Sequence, residues 1–430
     1  MSGPLAGWLS RIERQHPSAI ALGLDRVTEV WKRMGVELQA PVITVGGTNG
    51  KGSTCAMLER VLRCAGYRTG LYTSPHLLRY HERVRVAGVE ATDEELVAGF
   101  EAVERARGEV PLTYFEHGTL GALWLFAERR CDALVLEVGL GGRLDAVNIV
   151  DADCAVLGSI AMDHMDWLGD TREAIGREKA GIFRAGRPAV VSDRNPPATV
   201  LEEAARIGAR LLLIGRDFDA EPDAPQQWRF RGLDGGRTVL AHPALRGAAQ
   251  LRNAAAAIAA LQALRERLPV AMQDIRNGLA QVEIPARYQV LPGRPQVVLD
   301  VAHNADAAAV LASNLGASGF SPETIAVCGM LKDKDIDAVV AALAPRITRW
   351  HVATLPGPRG ASSSALADAV RAVAPGALVA EHASAEAAFV AARGEAGEGD
   401  KIVVFGSFLT VTAVMEQMRA AEARRESSHG

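Results

Sequence analysis

Short apolar runs alternate with longer amphipathic stretches along most of the chain. Val42-Ile43-Thr44-Val45 is rich in β-branched residues and reads as a buried strand. It breaks into a glycine turn, Gly46-Gly47-Thr48-Asn49-Gly50-Lys51-Gly52-Ser53-Thr54, and Cys55–Arg63 then reads as a helix. Residues 5–35 read as helical, with Gly23–Val27 between two helix-like stretches. Thr69–Leu77 reads as a strand entering a loop halted at Ser74-Pro75. Residues 93–107 form an amphipathic helix pattern, and a further helix runs from Thr113-Tyr114-Phe115-Glu116 through Trp124. Strands follow at Ala133–Val138 and Cys154–Ile160, then a helix over Thr171–Ile182. From about 193 to 245 the pattern weakens to short strands and loops, followed by an alanine-rich helix from Asn253 to about Leu264.

The chain changes character near Ile284-Pro285-Ala286-Arg287, which places a domain boundary between residues 1–286 and 287–430. A second series of strands is expected at Gln296–Asp300, Thr324–Gly329, Trp350–Ala353 and Lys401–Gly406. Strands alternating with helices in both halves predict an α/β protein with mostly parallel sheets. There is no internal repeat, and the tail from Arg424 to Gly430 is expected to fray.

A length of 430 residues fits two domains, and 48% hydrophobic residues suffice for two cores. A net charge of −4 argues against a nucleic-acid binder and against a polybasic membrane protein. Positive charge for an anionic substrate must then be local. Five cysteines, none in a CxxC pair, argue against a disulfide framework or a zinc cluster and point to a reducing cytoplasm. The leading stretch lacks the features of a signal peptide, and no apolar run is long enough to span a bilayer.

Strand, glycine turn and helix together make a phosphate cradle, in which backbone N–H groups and a helix N-terminus face an anion. Lys51 would reach the outer phosphates, and Ser53 or Thr54 would offer a hydroxyl to Mg²⁺. The spacing departs from the common phosphate-loop pattern: Val45 replaces a glycine, and Gly52 separates Lys51 from the hydroxyls. The turn is either a chance glycine loop or a distinct class of phosphate loop. Polar groups also recur just past strand ends. Glu137 closes an apolar strand, where a carboxylate is costly to bury without a partner. It is a Mg²⁺ ligand or the partner of Arg143. Ser74 and His164 follow other strand ends, which gives a plausible mixed oxygen–nitrogen shell for a divalent cation.

Gly47–Ser53, Thr73-Ser74-Pro75-His76-Leu77, Thr113–Glu116, Leu136–Asp145, Asp163-His164, Glu178–Ile182 and Asp300-Val301-Ala302-His303-Asn304, in this order, resemble the bacterial dihydrofolate synthase/folylpolyglutamate synthase family. That family is related to the Mur ligases, and the match runs over nearly the whole chain. The resemblance implies a P-loop-type first domain carrying ATP and a pterin-side pocket. It implies a Rossmann-like second domain that closes over ATP and binds glutamate. Thr48, Asn49, Gly50, Lys51, Gly52 and Ser53 would hold the ATP phosphates. Ser53, Ser74, Glu137 and His164 would bind two Mg²⁺ ions. Lys179 matches a lysine that relatives carry carbamylated, and it joins Lys51, His164 and Arg287 as a catalytic candidate. Asn253 would contact adenine, Arg287 the phosphates, and Asp300 and His303 the nucleotide from the second domain. Gly23, Asp25, Arg26, Thr113, Phe115, Arg143 and Asp145 would line the substrate pocket.

The implied reaction is phosphoryl transfer from ATP to a carboxylate, giving an acyl phosphate that the amine of L-glutamate attacks. The acceptors would be dihydropteroate and reduced folates, in a monomeric cytoplasmic enzyme. Two departures from the family pattern stand out: Ala286 replaces a glycine, which would stiffen the hinge, and Val301 and Ala305 replace a glycine and a proline. Another ligase of the superfamily, acting on UDP-linked precursors, is the nearest alternative; only about 40 residues precede the loop to hold UDP. A nucleotide-driven switch is a third reading, and it leaves Ser74, Glu137, His164 and Lys179 without a common purpose.

Overall fold

The computed structural model describes residues 3–16, 18 and 20–429. Met1, Ser2 and Gly430, in the leading stretch and the tail, lie outside these residues, as do two positions of the expected N-terminal helical stretch. The chain forms two compact units, one made of Met1–Ala161, Met165–Ala244 and Gln250–Glu283, the other of Met162–His164, Leu245–Ala249 and Ile284–Gly430.

The first unit contains β1 (Val42–Gly46), β2 (Thr69–Tyr72), β3 (Val84–Val86), β4 (Val89–Glu90), β5 (Ala133–Glu137), β6 (Cys154–Leu157), β7 (Pro188–Val191) and β8 (Arg210–Leu213). These form one sheet in the order β4-β3-β2-β5-β1-β6-β7-β8. Six strands are parallel, and the β3–β4 hairpin adds an antiparallel edge. The chain leaves β1 to one side, fills that side, and later crosses from β5 to β6 on the other. This reversal opens a crevice at the carboxyl end of β1, where open parallel sheets bind ligands. β1 and β5 are buried at every position, as their unbroken apolar runs require. A separate antiparallel ribbon contains β9 (Asp219–Pro222), β10 (Gln227–Arg231) and β11 (Arg237–Ala241).

The core under one face gathers Tyr72, Phe100, Phe126, Leu134 and Leu136. Gly70 is required there, since a Cβ would lie 2.7 Å from the Phe126 ring. His117 is fully buried at the edge of this cluster, its Nδ1 3.2 Å from Gln15 Oε1 and its Nε2 3.3 Å from the Phe100 carbonyl. Burial lowers its pKa to about 4. The unfolded chain therefore binds a proton from about pH 6.5 downward that the folded chain refuses until about 4. The contribution is intact above pH 6.5 and is lost as pH falls through that window. His117→Gln should flatten the slope of stability against pH between 6.5 and 4, as read by urea denaturation; an unchanged slope would exclude His117 as its source.

The second unit carries β12 (Gln289–Leu291), β13 (Gln296–Leu299), β14 (Thr324–Cys328), β15 (Arg349–Ala353), β16 (Leu378–His382) and β17 (Lys401–Phe405). Their order is β12-β13-β17-β14-β15-β16, parallel except for β12. Val298, Val403, Phe405, Trp350 and Leu366 centre its core. Ala286 is buried with φ +58°, a left-handed conformation that costs a residue with a Cβ about 1 kcal/mol. The departure at this position is therefore a local backbone strain in place of a glycine that would adopt it freely.

The α/β class holds in both units. Several details differ from expectation. The stretch from 193 to 245 contains a helix, Ala198–Ile207, as well as strands. The strand at Cys154 ends at Leu157, where the chain turns to meet the glycine loop. A final helix runs from Phe408 to His429.

Candidate active site

In the first unit the register sets Glu137 opposite Val45 and Leu157 opposite Gly46, so three strand ends reach one level. Gly47 has φ +136°, and a Cβ there would press 3.0 Å from Gly158 Cα. Gly50 has φ +87°, and a Cβ would come within 2.6 Å of Asn253 Oδ1. Only glycine fits at either point. The loop is stitched to the chain after β6: the Thr48 N–H donates to the Ser159 carbonyl at 2.7 Å, and the Ala161 N–H to Thr48 Oγ1 at 3.1 Å. Asn49 bridges to Ser159. Gly50 caps the helix Lys51–Cys64, whose first turn brings Gly52 and a buried Ser53.

Two ammonium groups rest on this loop. Lys51 Nζ donates to the Gly47 and Thr48 carbonyls at 3.1 and 3.2 Å. Lys179, only 4% exposed, donates to the same Gly47 carbonyl at 3.1 Å. Glu137 is 3% exposed, and its Oε2 accepts the Ser74 N–H at 3.2 Å. Arg143 pairs with Glu178 at 2.8 Å. The thiol of Cys55 is pushed up by burial and then by the charge of Glu137, against a pull from Lys51, so both charges are felt at the helix start. Asn253 lies buried and donates Nδ2 to Gln250 Oε1 at 3.0 Å.

The substrate-side residues form a second cluster in this unit. Phe115 packs on Gly139, where a Cβ would be 2.6 Å from its ring, and stands 5.9 Å from the Tyr72 ring. Thr113 caps the helix Tyr114–Glu128, and Glu116 closes the capping box. Arg26 donates to Glu116 at 2.9 Å. The Gly23 N–H meets the Leu144 carbonyl at 3.5 Å, tying that stretch to the turn after β5, whereas Asp25 is exposed at the start of its helix. Asp145 is buried and accepts from the Leu140 and Val147 N–H groups at 2.8 and 3.0 Å. Burial raises its pKa to about 6, against the opposing pull of those bonds.

In the second unit, Asp300 is half-buried after β13, accepting from Tyr288 and Ala302 N–H groups at 2.8 Å each. Burial raises its pKa, and Arg287 opposes this. Arg287 lies over the Phe408 ring at 5.4 Å, and His303 sits 6.5 Å from the same ring. His303 Nδ1 is 2.7 Å from the Val301 carbonyl, and its Nε2 is 3.5 Å from Asp163. His164 has φ +53° and is half-buried beside Asp163. Lys334 and Asn304 complete this group, with Lys334 Nζ 2.6 Å from Asp163. Sequence reasoning left Lys334 out. The signal was available, since Lys332-Asp333-Lys334-Asp335 is a polar cluster just past β14, as Asp300 is past β13.

Ser53, Ser74 and Glu137 offer hard oxygen donors of the kind Mg²⁺ takes. Glu137 belongs to the first unit and His164 to the second. Among the described residues no group of three or more His, Cys, Asp or Glu side chains gathers as a metal site. A shell with two serines would not make such a group, and the buried carboxylate at a strand end fits a hard cation. Among the described residues no helix is long and apolar enough to cross a membrane, and all five cysteines are unpaired.

This loop, sheet and pair of units are those of an amide ligase of the Mur type: residues 45–261 match the Mur ligase middle domain, and residues 286–408 the Mur ligase glutamate ligase domain. The chain is 46% identical to the dihydrofolate synthase/folylpolyglutamate synthase of Escherichia coli strain K12, over 97% of this chain and 96% of that one. It is 41% identical to that of Haemophilus influenzae, over 95% and 96%. The structure superposes with a TM-score of 0.92 on E. coli FolC in complex with DHPP and ADP, 45% identical, covering 98% of this chain and 99% of that one. With a bifunctional folylpolyglutamate synthase/dihydrofolate synthase holding Mn, AMPPNP and L-glutamate the TM-score is 0.88 at 43% identity, covering 97% and 98%. The chain belongs to the dihydrofolate synthase/folylpolyglutamate synthase family.

Proposed function

We propose that the protein joins L-glutamate to dihydropteroate, and extends reduced folates by further glutamates, at the expense of ATP. The observation that carries this reading is the intact glycine loop, with Lys51 and Lys179 on one carbonyl, in a chain matching its relatives over nearly its whole length. A carboxylate and an amine do not condense at neutral pH, so the acceptor carboxylate first takes the terminal phosphoryl group of ATP. The amine of glutamate then attacks the acyl phosphate and releases phosphate.

The roles follow from chemistry. Backbone N–H groups of residues 48–53 hold the phosphates, and Lys51 leaves its two carbonyls to neutralise the transferring oxygens. Asn253 contacts adenine. Ser53, Ser74, Glu137 and His164 would hold two Mg²⁺ ions, which when bound would supply further charge neutralisation. Carbamylation of Lys179 would turn a buried cation into an anion. Phe115, with Gly23, Arg26, Thr113, Arg143 and Asp145, accepts the pterin side. Arg287, Asp300 and His303 serve the nucleotide, and the second domain takes glutamate. We assign the enzyme to the cytoplasm, as a monomer.

The direct test measures phosphate release from MgATP and L-glutamate, with dihydropteroate or tetrahydrofolate in separate tubes. Release dependent on both acceptors is expected. Release without acceptor or glutamate would instead favour a nucleotide switch, and silence in every tube would leave the other superfamily ligases. The pterin side has its own test. Gly139→Ala puts a methyl group into the Phe115 ring and should raise KM for dihydropteroate about tenfold, with KM for MgATP unchanged; one displaced contact is worth about 1.4 kcal/mol. An equal rise in both constants would argue against Phe115 as a pterin contact.

A further inference from the structure

We infer that Lys334 is a positioning residue for the reaction, acting through Asp163 on His303. The inference rests on the nucleotide role proposed above for His303. Lys334 follows β14, and His303 and Asn304 follow β13, strands separated in the sheet only by β17. The Lys334 and Asp163 side chains are 6% and 7% exposed. One carboxylate oxygen, Oδ1, takes the Lys334 ammonium at 2.6 Å and the His164 N–H at 2.9 Å. The other, Oδ2, takes Asn304 Nδ2 at 3.2 Å and faces His303 Nε2 at 3.5 Å. The carboxylate is thus fixed by one edge so that its other edge can hold two groups.

The far side of the imidazole is fixed as well. With Nδ1 at 2.7 Å from the Val301 carbonyl, the ring donates there, and in its imidazolium form it also presents an Nε2 N–H to Asp163 Oδ2 at 3.5 Å. Without Lys334, a buried carboxylate would be left short of a cation and would turn towards whatever donor or water it could reach. The ring of His303 would lose its second anchor. A side chain displaced by about 1 Å from its working position costs about a hundredfold in rate. A purely structural ion pair predicts something else: lower stability with the nucleotide site unaltered in the molecules that remain folded.

The test is a double-mutant cycle on the full chain, with Lys334→Met, His303→Ala and the double variant. MgADP affinity is read by calorimetry and kcat/KM for MgATP by phosphate release, below the melting temperature of each variant. Each single change should weaken both quantities, by roughly a hundredfold in kcat/KM, while KM for L-glutamate stays constant. The double variant should be no worse than His303→Ala alone, because a positioning residue has nothing left to position. Lys334→Arg, which keeps a cation at the carboxylate, should recover most of the loss and carries the test if the methionine variant does not fold. Additive losses, or wild-type affinity in Lys334→Met, would overturn the inference. A silent His303→Ala would overturn it too, by removing the group acted on. Failure of the proposed function shows separately, as a wild-type protein that releases no glutamate-dependent phosphate.

Discussion

Lys51→Ala is expected to abolish phosphate release with both dihydropteroate and tetrahydrofolate, a loss on the order of 10³-fold or more in kcat. The lysine opens the helix Lys51–Cys64, with its ammonium already inside the loop. A terminal phosphate brings negative charge to that point, and more of it as the bond to the leaving oxygen stretches, so loss of the cation costs more in the transition state than in the bound state. Its present bonds, to two backbone carbonyls, are charge-assisted and worth about 1.5–3 kcal/mol each. The variant should stay folded, with a lower melting temperature. Lys51→Arg should be nearly as inactive, since a planar fork does not replace a compact ammonium between the Gly47 and Thr48 carbonyls. Glutamate-dependent release at even a tenth of the wild-type rate in the alanine variant would sink the assignment of Lys51.

The elements that place this lysine were the most legible in the sequence. β1 and β5 are runs of branched apolar residues, and a strand buried on both faces leaves little other choice. Glycines at 47 and 50 could be read as a turn, and the structure adds that each supports a close approach from a distant residue, Gly158 and Asn253. The helix Ala198–Ile207 escaped because its apolar positions sit among prolines and charges that dominate the composition of the region. The edge strand β16 escaped because its packing is one-sided and Leu378 is exposed.

Pairings were the least legible part of the site. Arg26 meets Glu116 from 90 positions away, and Lys334 meets Asp163 from 171. No local pattern encodes such separations. The pairing of Arg143 with Glu178 and the bond from the Ser74 N–H to Glu137 are long-range facts of the same kind.

Glu137→Gln separates function from stability at that position. Glutamine keeps the size of the side chain and one carbonyl oxygen for the Ser74 N–H, which the carboxylate accepts at 3.2 Å. It removes a charge that is 3% exposed at the end of an apolar strand, and an amide costs less to bury there than an ion. The variant should stay folded in metal-free buffer, as read by its melting temperature. Activity should fall by about 10²–10³-fold in kcat, the scale for loss of a group that stabilises transition-state charge, and the Mg²⁺ concentration giving half-maximal rate should rise. Strand-end carboxylates kept for folding alone would behave the other way round, with a lower melting temperature and an unaltered Mg²⁺ requirement. A stable, inactive, magnesium-hungry variant is the combination that only a ligand role at Glu137 explains.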